Sequence, residues 1–224
     1  MPPIRKSVIL SVQVQDMAGF IGKFFSLLSG SPKHGDSDTA KSPYMPVEKS
    51  PLDFTFAEAF TQSGGYFIYC SNKQDVIDQL RNVGLESGEQ ALFVPEIALH
   101  HWAQGAGLSV IKDNPLEANA MLTTCHAAIA KTGGVMISDA QTQGLKFAQL
   151  PAIHIVFGGV KQVVNGLTDG MIAINKFHKE QRPLSIITLK GKQDDSVAKA
   201  KIDPNKNREL YFFLLEDHLM SDAK

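Results

Sequence analysis

Residues 119–159 constrain the fold of this chain more than any other stretch. They read NAMLTTCHAAIAKTGGVMISDAQTQGLKFAQLPAIHIVFGG. The apolar runs are short, and each is closed by a polar or glycine-bearing segment. Ala120, Met121 and Leu122 lead into Thr123 and Thr124, whose hydroxyls suit the cap of a short helix predicted over residues 125–131. Gly133 and Gly134 then close that helix, because glycine tolerates positive φ past a helix end. Val135, Met136 and Ile137 read as a short buried strand. The polar residues 138–144 lead to Lys146, and Pro151 opens another strand over 153–157. Runs of this length suit strands covered on both faces. Alternation with helices favours a parallel sheet with right-handed crossovers.

The rest of the chain repeats this pattern. FAEAFTQSGG reads as a helix closed by Gly64 and Gly65, and YFIYC as a strand rich in aromatic residues. Ser71 or Asn72 can cap the next helix, KQDVIDQLRNVG. ALFVP is a strand, EIALHHWAQGAG has helical spacing, and LSVI is a strand. A helix is predicted over residues 160–178, followed by the strands LSIITL and ELYFFLLED. This order implies an α/β fold with a doubly wound, mainly parallel sheet flanked by helices.

The first residues stand apart. SVILSVQVQ alternates partly like a strand. Met17, Phe20, Ile21, Phe24, Phe25, Leu27 and Leu28 form an apolar helical stripe. The plain expectation is a helix packed on the domain. The sharper one is a helix that joins a partner or makes a homo-oligomer. Residues 30–52 are polar and rich in Ser, Pro and Gly, a linker composition. Two parts are therefore expected: an arm with its linker over 1–51, and an α/β domain over 52–224.

A chain of 224 residues, 43% hydrophobic, can bury the core of one such domain. A net charge of -1 gives no global attraction to nucleic acid or an anionic membrane. The run LKGKQDDSVAKAK alternates in sign and reads as a solvated surface. No nucleic-acid motif accompanies it. The two cysteines, Cys70 and Cys125, form no Cys-x-x-Cys, which argues against a cluster held within this chain. Reduced thiols suit the cytoplasm. The apolar run near the start is short and interrupted by Gln13, Gln15 and Asp16, so neither a signal peptide nor a membrane span is expected.

Three places are candidates for binding a small anion. Thr123 and Thr124, at a strand end and helix start, would offer unsatisfied N–H groups; simple capping is the competing reading. Thr132, Gly133 and Gly134 would allow close backbone approach, against an ordinary helix end. Lys146 would supply a cation, against a solvated surface lysine. No G-x-G-x-x-G or P-loop appears. His100 and His101 are adjacent and carry no metal-ligand spacing, so no metal site is expected. His154 lies in an apolar strand and reads as a core histidine. Cys125, at the predicted helix start, reads as a buried structural thiol. No defensible catalytic triad is present.

The combination AAIAKTGGVMIS, LKFAQLPAIHIVFG, KQVV and RELYFFLLED resembles the LUD domain family of lactate-utilisation proteins, LutC-like members in particular. The resemblance runs from about residue 54 to residue 217. It implies a NagB/RpiA/CoA-transferase-like fold, the group that includes formyltetrahydrofolate cyclo-ligase. It implies a cytoplasmic accessory component of lactate oxidation to pyruvate, with iron–sulfur clusters on partner subunits and no cofactor in this chain. Three departures stand out. Lys131 replaces the family's Glu before Thr-Gly, and Lys146 replaces its Arg before Leu-Pro. KGKQDDSVAKAKIDPNKN stands where the family has Gly-Pro-Ser followed by Arg-Thr-Ala-Asp. Two other readings stay open: a stand-alone small-molecule-binding enzyme of the cyclo-ligase or CoA-transferase kind, and an interaction module that kept the fold without its site.

Overall fold

A computed structural model describes residues 51–146, 149–178, 183–191 and 208–221. The arm and linker expected over 1–51 therefore lie, except for Pro51, outside the described residues, as does most of the charged run after Leu189.

The chain's most apolar late segment, ELYFFLL, forms β10 (Glu209–Leu215). It lies inside a six-stranded sheet between β1 (Tyr66–Cys70) and β7 (Ile153–Gly159). Beyond β7 come β4 (Ala120–Thr124), β2 (Ala91–Phe93) and β3 (Ser109–Ile111). Every neighbouring pair is parallel, as the short apolar runs predict. The alternating residues of β10 serve two cores. Tyr211, Phe213 and Leu215 pack with Phe157, Trp102 and Leu80 on one face. Leu210, Phe212 and Leu214 pack with Val156, Phe56 and Phe60 on the other. Burial on both faces explains why β10 carries no polar alternation.

Helix α1 (Leu52–Gln62) supplies Phe56 and Phe60. Helix α2 (Lys73–Ser87) begins where Asn72 accepts a hydrogen bond from the Asp75 N–H, and ends at Gly88, whose φ is 73°. EIALHHWAQGAG becomes a 3-10 turn, Ile97–Leu99, and the short helix α3 (His100–Gly105).

A second sheet was not legible in the sequence. It orders β8 (Val163–Val164), β5 (Ala127–Ile129), β6 (Gly134–Ser138) and β9 (Ile186–Leu189). β6 pairs antiparallel with both β5 and β9. Ala128, Val135, Ile137 and Leu189 join the core around Phe212, so this sheet covers one face of the parallel one.

Two expectations are corrected here. The helix predicted over 125–131 is instead strand β5. The Cys125 and His126 N–H groups donate to Phe157 and Met136 carbonyls, and residues 127–129 pair with β6. Small residues with helical spacing equally suit a strand enclosed on both sides, and tertiary pairing decides the outcome. The single helix predicted over 160–178 is also broken. Residues 160–162 form a 3-10 turn, β8 pairs parallel with β5, and α5 (Leu167–Phe177) starts only after Gly166. The Gly166 N–H donates to the Asp169 carboxylate, which starts the helix there. Two short helices complete the set: α4 (Asp139–Thr142) and α6 (Asp217–Met220).

Candidate ligand-binding cleft

The strand order creates a crevice. From β2 the chain proceeds to its outer neighbour β3, whereas from β4 it proceeds to β7 on the other side. The loops leaving these adjacent parallel strands diverge, and ligands of open α/β sheets bind outside the carboxyl ends at such a point. A cleft of about 520 Å³ lies here. Glu96, just past β2, and Thr124, the last residue of β4, form part of its wall. The second sheet supplies His126, while α5 and the residue after it supply Ile174, Phe177 and His178.

Glu96 is held firmly. Its Oε1 accepts the Thr124 N–H at 2.6 Å and its Oε2 accepts the Thr124 hydroxyl at 2.6 Å. Burial raises its pKa above the usual carboxylate range, while the two Thr124 hydrogen bonds oppose that shift. A carboxyl group of the chain itself therefore occupies the N–H group where sequence reasoning expects an anion.

Another part of the lining is built on a capping box. The Ser138 N–H and hydroxyl both donate to Gln141 Oε1, at 2.8 and 2.9 Å, and Ser138 Oγ accepts the Ala140 N–H. His126 Nε2 lies 2.8 Å from Ser138 Oγ. Because the hydroxyl proton is directed at Gln141, the ring meets Oγ as an Nε2–H donor and keeps Nδ1 as an acceptor. Burial, and then the neighbouring His178, push the His126 pKa down to about 4, so this ring is neutral at pH 7. His126 and His178 meet edge to face at 4.9 Å, as do Phe177 and His178. Among the described residues, His178 Nε2 is buried without a hydrogen-bond partner.

The floor is braced by Gln162. It accepts the Gly159 N–H at 2.8 Å and donates to the Cys125 carbonyl. The Cys125 thiol is buried, and burial raises its pKa, so the structural role expected for it fits. Lys161 Nζ is paired with Asp217 Oδ2 at 3.1 Å.

Of the six residues expected from sequence to bind an anion, Thr124 is the one that lines this cleft. Thr123 is fully buried, and its Oγ1 is 2.8 Å from His154 Nε2. His154 is the core histidine the strand pattern suggests; burial and then Arg208 push its pKa down to about 3. Thr132, Gly133 and Gly134 lie at the far end of the β5–β6 hairpin from His126 and Ser138, because Ile129 pairs with Gly134. Gly133, at φ 61°, faces α1: an added Cβ would lie 2.5 Å from the Ala59 backbone. Lys146 is exposed beyond α4, its N–H donating to Gln149 Oε1. Sequence reasoning missed Glu96, His126 and His178. The signals were an acidic residue immediately after a strand and the Ser138-x-x-Gln141 capping pattern. His126 was hidden inside the expected helix. Among the described residues no three His, Cys, Asp or Glu side chains cluster as a metal site, and no helix is long and apolar enough to cross a membrane.

Fold and cleft together define an α/β protein with a ligand crevice at the switch point of a parallel sheet. Residues 95–198 match the family model described as LUD domain. That stretch contains Glu96, Thr124, His126, Gln162 and His178. The chain is also similar to a DUF162 family protein from Deinococcus radiodurans known from a crystal structure, with a TM-score of 0.51 and 18% identity over 76% of this chain and 99% of that one. That likeness extends to the fold. No curated protein matches the chain.

Proposed function

We propose that this chain is a LutC-like accessory component of cytoplasmic lactate oxidation to pyruvate, acting with partner subunits that carry iron–sulfur clusters. The observation that carries this reading is the LUD-domain match over 95–198, which spans nearly the whole cleft wall. Two further features support an accessory role. The cysteines number two, and both are buried, far from the thiolate set that a cluster requires. The Thr124 donors that a small carboxylate substrate would seek are held by Glu96. The test is deletion of the gene in the native host, with growth on lactate as sole carbon source, alongside affinity capture of the tagged chain. Slowed growth and recovery of iron–sulfur oxidoreductase subunits are expected. Normal growth with no such subunit recovered would refute the role.

One observation favours a second reading, a stand-alone small-molecule binder or enzyme of the cyclo-ligase kind. The cleft combines a buried carboxylate with a neutral imidazole, a pairing of titratable groups with displaced pKa values that is common at functional sites. A ligand that raises the melting temperature of the isolated chain would support it.

A further inference from the structure

We infer that the cleft takes a small organic cation, an ammonium group on an apolar body, with its charge held by the Glu96 carboxylate. This goes beyond the accessory role and does not depend on it.

Three observations converge. The first is that no backbone donor remains for an anion at the end of β4. The Thr124 N–H serves Glu96 Oε1, the Cys125 N–H serves the Phe157 carbonyl at 3.1 Å, and the His126 N–H serves the Met136 carbonyl at 2.8 Å. The helix whose N-terminus would have attracted an anion is a strand. An incoming carboxylate or phosphate would find no free N–H there and would meet the Glu96 charge in a medium that screens it poorly.

The second is the charge balance. Among the described residues, Glu96 and Lys161 are the lining residues that carry formal charge, apart from the histidines. Lys161 is matched by Asp217, whose Oδ1 also accepts the Lys161 N–H at 3.2 Å. His126 is neutral at pH 7. Among the described residues Glu96 takes its hydrogen bonds from the Thr124 N–H and hydroxyl, neither of which is charged. A half-buried carboxylate gains from a positively charged partner.

The third is the aromatic part of the lining. His178 meets both His126 and Phe177 edge to face with centroids 4.9 Å apart, and His126 and Phe177 are tilted at 6.4 Å. Aromatic faces attract ammonium groups. Ile174 and Met220 add apolar surface for the body of the ligand. His178 Nε2 is buried with no hydrogen-bond partner among the described residues.

Three probes of matched shape test this on the full chain by isothermal titration: 2-phenylethylammonium, 2-phenylethanol and phenylacetate. The ammonium ion is expected to bind about tenfold or more tighter than phenylacetate, the scale of one charge-assisted contact. Glu96→Gln is expected to erase most of that advantage and to leave the alcohol nearly unchanged. Phenylacetate binding as tightly as the ammonium ion would overturn the inference. So would unchanged ammonium affinity in Glu96→Gln, or binding of none of the three at millimolar concentration. The wild-type ranking is read without the variant, so a Glu96→Gln chain that failed to fold would still leave a decision. None of these outcomes bears on lactate growth or partner capture.

Discussion

The two sheets are held together by different means. The parallel sheet relies on bulk: Phe157, Phe212 and Phe213 are fully buried at its centre, with rings of both faces in contact with aromatic neighbours. The second sheet relies on closeness. Its β5 strand is Ala-Ala-Ile, and α5 approaches so near that a Cβ on Gly170 would lie 2.4 Å from Met136 Sδ. Large apolar residues fix a framework with little need for exact neighbours, while small residues let polar groups be brought together. The cleft lies where the two meet: Thr124 closes a strand of the first, and His126 and Ser138 flank strands of the second.

The largest effect tests this contrast directly. Phe212 is fully buried and touches the Phe56, Phe60 and Phe67 rings at 4.8 to 6.4 Å. Phe212→Ala is expected to cost about 3–5 kcal/mol by the usual cavity penalty, whereas Ile129→Val in β5 should cost about 1 kcal/mol. Urea unfolding of both variants measures the difference. Equal losses would show that the framework is not concentrated in the parallel sheet.

The same contrast explains what the sequence discloses. YFIYC, ALF, IHIVF and ELYFFLL announce themselves because runs of Tyr, Phe, Ile and Val suit strands and are too short for helices. Their parallel pairing follows from the intervening helical patterns. AAI does not announce itself: Ala at successive positions carries no period, and a Thr-Thr before it and a Gly-Gly after it imitate helix caps. Only the pairing of Ala128 with both Val135 and Val163 makes it a strand, and those partners lie elsewhere in the chain. The site suffered accordingly. Thr124 was legible because it ends an obvious strand. Glu96 was not, because an acidic residue after a strand usually meets water, and its role depends on Thr124, 28 positions away.

An intermediate effect separates the two buried imidazoles, one in each region. Burial pushes the pKa of His154, on β7 of the parallel sheet, down to about 3, and that of His126, at the cleft, down to about 4. Both values lie below the ordinary histidine value of about 6.5. Above pH 6.5 each ring is neutral folded and unfolded, so neither changes stability. As the pH falls below 6.5 the unfolded chain takes up protons that the folded chain refuses, and stability declines until the folded pKa is reached. Between pH 7 and pH 5 this amounts to about 2 kcal/mol for a fully sealed histidine. His126 should give less, being only part-buried. Urea unfolding at both pH values, with His154→Gln and His126→Gln beside the parent chain, reads each share. The acid loss should shrink more in His154→Gln. The reverse order would place the better sealed ring in the second sheet.

The smallest effect concerns the connection between the sheets. Lys161 sits between β7 and β8, and its ammonium meets Asp217 at 3.1 Å, but its side chain is 83% exposed. An exposed pair gains little, because water solvates both charges and ordering the long side chain costs entropy. Lys161→Ala should therefore change stability by less than about 0.5 kcal/mol. Asp217 does more than pair. Its Oδ1 also accepts the Lys161 N–H at 3.2 Å, fixing the backbone of the turn that carries Gln162. Asp217→Ala removes that acceptor as well as the charge, and should cost about 1 kcal/mol, the net scale of one hydrogen bond. Raising the salt concentration should reduce the difference between the parent and Lys161→Ala, since the ion pair is screened. It should leave most of the Asp217→Ala loss in place, because a hydrogen bond to a backbone N–H is local. Lys161→Ala more damaging than Asp217→Ala would mean that charge, not the backbone hydrogen bond, holds the turn between the sheets.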